Sequence, residues 1–135
     1  MKSIFFIFII VVLLGCNSNS KKTANTALDV GREFIRTTLD GNFKEAEPLL
    51  LQDSMNVEMF QSYELYYKNL NASIKEGYKK ASYNINTFTE QPGDTVAIIN
   101  YSNSYMKTPM NLKVVKSNNQ WAVDFKYTSI DTLAN

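Results

Sequence analysis

Histidine is absent from the 135 residues, and cysteine occurs once. Without histidine there is no Ser-His-Asp triad, no His-ligated zinc and no use of the commonest general acid-base group. A lone cysteine closes no internal disulfide, so the fold rests on packing. Glycine is scarce at five residues, and those at 31, 41, 77 and 93 stand isolated, which leaves no glycine-rich loop to cradle a phosphate. Charge of one sign is missing too: 14 basic residues face 13 acidic ones. With Lys2 set aside, because it precedes the first apolar run, the balance is even. Nucleic-acid binding needs a basic surplus, and the one dense basic stretch, Lys75, Lys79 and Lys80 with Lys68 before it, reads as the solvated end of a helix. Glu45 and Glu47, the nearest-spaced carboxylates, diverge on a short helix and supply too few oxygens for a divalent ion. The sequence therefore assigns no catalytic residue, no metal ligand, no cofactor and no nucleic-acid partner.

The one long apolar run, residues 4–14, has 11 residues behind Lys2. That is the length of a signal-peptide core and well short of a bilayer span. Leu13, Leu14, Gly15 and Cys16 follow in the order of a bacterial lipobox, which they resemble. The resemblance implies cleavage after Gly15, a diacylglyceryl group on the Cys16 sulfur and a membrane partner reached through that lipid. Two or more acyl chains anchor stably where one does not. The alternative, an ordinary secreted leader, requires a small-x-small cleavage pattern that does not follow Leu14. Residues 17–25 are polar and aperiodic and read as a tether of up to about 30 Å when extended. Asn17 is not the aspartate that retains some lipoproteins at an inner membrane. In a cell with two membranes, the expected location is the periplasmic face of the outer one. The expected organisation is a signal peptide over 1–15, lipidated Cys16 and tether over 16–25, and one domain over 26–135.

That last span has about 110 residues, near the usual size of a single domain. Hydrophobic residues make up 44% of the chain and aromatics 13%, enough for a core and too many for disorder. Thr26 with Asp29 forms a capping-box pattern, and Ala27, Val30, Phe34 and Thr38, flanked by Leu28, Ile35 and Leu39, make a helical stripe. A helix is expected over 27–39, stopped by Asp40 and Gly41. Asn42 with Glu45 offers a cap for a short second helix that Pro48 bends. A third is expected from Asp53 and Ser54 to near Gly77, with Met55, Met59, Tyr63, Tyr66 or Tyr67, Leu70 and Ile74 on one side.

The period then changes to two. Tyr83, Ile85 and Thr87 alternate before the turn at residues 91–94, and a long central strand is expected over 95–105. Met110, Leu112 and Val114 pair with Trp121, Val123, Phe125 and Tyr127 across a hairpin at Asn118 and Asn119, which tolerate positive φ. Asp124 falls out of phase with that last strand and should leave the core face. The fold class expected is α+β, with three N-terminal helices packed on one face of a curved four-stranded antiparallel sheet.

Residues 30–51 resemble the first helices of the nuclear-transport-factor-2-like, or cystatin-like, superfamily: Phe34 in a helix, a turn at Gly41, Phe43, then Ala46 with Leu49 and Leu50. Residues 118–124 are similar to its closing hairpin, with Trp121 after the turn. The nearest group within it is one of small bacterial lipoproteins. The resemblance spans most of 26–130, implies the superfamily's cystatin-like roll, and rests on core positions rather than catalytic ones.

Tyr63 and Tyr66 on the third helix, with Tyr101, Tyr105, Trp121, Phe125 and Tyr127 on the strands, are the residues expected to line a cavity between helices and sheet; core packing explains them equally well. The leading functional expectation is an envelope lipoprotein with a non-catalytic binding or interaction domain that takes a small apolar molecule or an envelope protein. One alternative is a small isomerase or dehydratase, which needs a carboxylate buried beside a tyrosine. Another is an assembly protein that forms homodimers through the outer sheet face, where Asn111, Lys113, Ala122, Asp124 and Lys126 look too polar for a large apolar interface.

Overall fold

The computed structural model describes residues 26–128. The expected signal peptide, Cys16 and tether lie outside them. Helix α1 (Ala27–Leu39) starts where the sequence places it: Thr26 is extended, its hydroxyl accepts from the Asp29 amide at 3.1 Å and donates to the Asp29 carboxylate at 2.8 Å. Its buried stripe includes Ala27, Val30, Phe34, Ile35 and Thr38. At the far end Arg36 pairs with Asp40 at 2.7 Å and donates to the Ala81 carbonyl at 2.9 Å. Gly41 then turns the chain at φ 72°, a left-handed conformation that favours glycine.

Helix α2 (Phe43–Ala46) and a 3-10 turn (Glu47–Leu49) carry Phe43 and Ala46 into the core. Asn42 makes no side-chain cap there, contrary to the sequence expectation. The Leu51 amide donates to the Val123 carbonyl at 2.9 Å, which ties this segment to the sheet edge.

The expected third helix is two helices. Helix α3 (Ser54–Asn69) is capped by Asp53 and buries Asn56, Phe60 and Tyr67. Leu70 is extended, and α4 (Ala72–Lys80) begins on Asn71, whose side chain accepts from the Ile74 amide at 2.9 Å. An asparagine carboxamide competes with the backbone for that amide and favours a new start over a continuous helix. Gly77 lies inside α4 and does not end it. A Cβ there would come within 2.4 Å of the Tyr105 ring, so close approach explains the glycine.

Strands β1 (Tyr83–Glu90), β2 (Val96–Asn103), β3 (Met110–Ser117) and β4 (Gln120–Val123) form an antiparallel sheet in the order β1-β2-β3-β4, with a bulge in β1 between Ile85 and Thr87. Ala97, Ile99 and Tyr101 of β2, with Leu112 and Val114 of β3, are buried on the face that α1 covers. The β3–β4 turn uses Asn118 at φ 49° and Asn119 at φ 62°, the pairing of positive φ values that suits a tight hairpin.

Strand β4 stops at Val123, four residues short of the expected end, and a helical turn, α5 (Phe125–Thr128), follows. Alternation beyond Val123 therefore fails: Phe125 reaches the core from a helix, and Tyr127 is 53% exposed. Asp124, expected to leave the core face, is instead buried at 9% exposure, with Lys113 and Lys126 pairing with it at 3.3 and 3.4 Å. The molecule is thus α+β with an open four-stranded antiparallel sheet, and the described residues form five α-helices, four of them before the sheet, rather than the three expected.

Candidate ligand-binding site

A cavity of about 100 Å³ lies where α1, α3, α4 and α5 meet one end of β2 and β3. Each element contributes at its own period. Phe34 and Thr38 come one turn apart on α1, Tyr63 and Tyr66 on α3, and Phe125 and Thr128 on α5; α4 adds Tyr78. Tyr101 enters at an inward position of β2, and Met106 and Met110 close the wall around the start of β3. The exposed side chains Tyr66 and Met106 mark its rim. The rings of Phe34 and Tyr63 each pack on that of Phe125, at centroid distances of 6.0 and 5.7 Å, which fixes the deep wall.

The site is apolar with neutral polar points. Burial pushes the Tyr101 phenol up to about 12, helped by the neighbouring Tyr78. Burial raises Tyr63 further, and Tyr101, Tyr78, Tyr67 and Tyr66 each add to it. Tyr78 is also raised, first by burial and then by Tyr66, Tyr105 and Tyr67. A desolvated phenolate close to other phenols is disfavoured, so these groups remain protonated donors through the physiological range. The Tyr78 hydroxyl donates to the Met106 sulfur at 3.3 Å. The Tyr63 and Tyr101 hydroxyls meet no hydrogen-bond partner among the described residues, and the buried Thr128 hydroxyl has none either. Thr38 bonds its own helix, at 2.8 Å to the Phe34 carbonyl and 3.0 Å to that of Ile35.

No Asp, Glu, Lys or Arg lines the cavity among the described residues, and no group of three or more His, Cys, Asp or Glu there could hold a metal ion. The main ionic cluster lies outside the lining and serves the fold. Lys126 donates to Asp53 at 2.7 Å, and the fully buried Asn56 donates to Asp53 at 2.7 Å and accepts from the Lys126 amide at 2.9 Å. This network fastens α5, and with it Phe125 and Thr128, onto the start of α3.

Four of the seven residues singled out from sequence meet in the cavity wall: Tyr63, Tyr66, Tyr101 and Phe125. Tyr105 stands behind it, its ring edge-on to Tyr78 at 5.1 Å and packed over Gly77. Trp121 pairs with Lys116 at the opposite end of β3 from Met110, with the Lys116 ammonium 5.6 Å from its ring, so it is too far along the sheet to contribute. Tyr127 is carried outward by α5, where Lys113 sits 5.4 Å from its ring. Sequence reasoning missed Phe34, Thr38, Tyr78, Met106, Met110 and Thr128. The first two carried a signal in their spacing of four on the α1 stripe. Tyr78 was hidden by ending the helix at Gly77, and Thr128 by continuing β4.

Among the described residues, no helix is long and apolar enough to cross a membrane. No protein-family model, no curated protein and no solved structure matches the chain.

Proposed function

We propose that this chain is an envelope lipoprotein, anchored by lipid on Cys16, whose domain holds a small, mostly apolar molecule without transforming it. The cavity carries this reading: aromatic and methionine walls enclose about 100 Å³ and present hydroxyls rather than ions. Small-molecule sites are typically concave and apolar with a few polar points. An isomerase of the carboxylate-tyrosine kind needs a base beside its donor, and the described lining offers tyrosines without one. Helices lying on one face of an antiparallel meander, with a cavity between the layers, support membership of the nuclear-transport-factor-2-like superfamily. The lipobox resemblance at residues 13–16 supports the anchor. The outer sheet face mixes a polar ladder, where Asn86 donates to Asn100 at 2.9 Å and Asn100 to Asn111 at 2.8 Å, with the half-buried Val96, Ile98, Val115 and Ala122, and this mixture gives assembly through that face no more support than the cavity gives ligand binding.

The test is native mass spectrometry of the full chain released from its own membranes, beside a Thr38→Phe variant that fills the cavity. A small-molecule adduct on the wild type, lost in the variant while its thermal unfolding is kept, supports the reading. Equal adducts on both proteins, or none on either, would contradict it.

A further inference from the structure

Resting on that binding reading, we propose that the cavity selects uncharged, ring-sized molecules that carry a hydrogen-bond-accepting oxygen, and that the Tyr63 and Tyr101 hydroxyls are the donors that meet it.

Size sets the first limit. An apolar cavity of about 150 Å³ accepts benzene, and one of about 100 Å³ with an exposed rim suits a single six-membered ring. Charge sets the second. A charged ligand entering this site gives up its hydration, and the described lining returns no opposite charge. The ions flanking α5, Asp53, Lys113, Asp124 and Lys126, are committed to one another.

The third limit comes from the hydroxyls. Tyr78 has an acceptor in Met106, whereas Tyr63 and Tyr101 line the same cavity with no acceptor among the described residues. Tyr101 is only 9% exposed. Burial first, and the neighbouring phenols second, keep both from ionising, so both offer a proton. A hydrocarbon ligand would seal these donors away from water without an acceptor, which is the costly arrangement. A carbonyl or ether oxygen on the ligand removes that cost, and it can accept from both because a carbonyl oxygen has two lone pairs. The buried Thr128 hydroxyl, also without a partner, gives a third polar point on the α5 side.

The experiment compares two probes of one shape, cyclohexanone and methylenecyclohexane, which differ by an oxygen in place of a methylene. The full chain, with fluorinated tyrosines, is held in lipid nanodiscs, and empty nanodiscs fix the free probe concentration. Fluorine NMR signals of Tyr66 and Tyr78, present in every variant, report occupancy. In Tyr63→Phe/Tyr101→Phe the ratio of ketone to alkene affinity should fall about tenfold, the scale of one net hydrogen bond, while alkene affinity is kept. Each single variant should show part of the fall. An unchanged ratio overturns the proposal and leaves the binding reading standing. Tighter binding of cyclohexyltrimethylammonium or cyclohexanecarboxylate than of the ketone overturns it in favour of a charged ligand. If no probe binds the wild type, the binding reading itself fails.

Discussion

At Gly31, helix α1 crosses the sheet so closely that a Cβ would sit 2.1 Å from the Ile99 δ-methyl. Ile99 is fully buried and has no solvent to move into. Alanine gains about 1 kcal/mol of helix propensity over glycine, while overpacking a tight core costs about 1–3 kcal/mol. Gly31→Ala is expected to lose about 1 kcal/mol net in urea unfolding. Ile99→Val removes the clashing methyl and by itself costs about 0.5–1.5 kcal/mol. The two changes together should therefore cost less than their sum, and additivity would show that the contact does not limit α1. Asn56 is the second decisive residue. It is wholly buried and joins the α3 cap to the Lys126 amide. Asn56→Ala strands that amide and should cost about 2 kcal/mol, with a loss of cavity ligand as α5 loosens.

At the scale of elements, the α3–α4 break and the end of β4 show what was legible in the sequence. Helix α1 was readable end to end because its cap, its stripe and its stop agree. The β3–β4 hairpin was readable because Asn118 and Asn119 supply the turn. The α3–α4 break was missed because Leu70 and Ile74 keep the helical spacing across it, and only Asn71 marks a new cap. The end of β4 was missed because Phe125 and Tyr127 continue the strand period, while the bonds that coil α5 come from Asn56 and Asp53, some seventy residues earlier. Long-range polar contacts leave no local period. Ending the helix at Gly77 removed Tyr78 from the expected site, and running β4 on past Val123 removed Thr128 and put Tyr127 into it. The Asp53 network also sets a pH response. The Lys126 hydrogen bond, then the Asn56 amide, hold the Asp53 carboxyl below its usual value of 3.8. Its contribution is complete above that value and is lost as pH falls through the lowered one. Acid titration followed by fluorescence should place the loosening of α5 below pH 3.8, and Asp53→Asn should remove that transition.

For the whole molecule, the tyrosine cluster couples the site to alkaline stability. Tyr101 moves from 10.0 to about 12, so the folded state keeps a proton that the unfolded state gives up. That stabilisation is complete below pH 10 and declines as pH rises towards 12, by about 2–3 kcal/mol for this one group. Alkaline unfolding monitored by phenolate absorbance should move to higher pH in Tyr101→Phe. At the membrane, Cys16→Ala should abolish incorporation of labelled fatty acid and release the chain from the membrane fraction; unchanged labelling would refute the anchor.

The central claim is that the cavity between the helices and the sheet binds a small apolar ligand. Its most direct test is fluorine NMR of the full chain in nanodiscs, with every tyrosine fluorinated and assigned, titrated with cyclohexanone. The account predicts saturable shifts at Tyr63, Tyr66, Tyr78 and Tyr101, with Tyr83 and Tyr127 unmoved. Shifts spread evenly over all the tyrosines, or none that saturate, would contradict it.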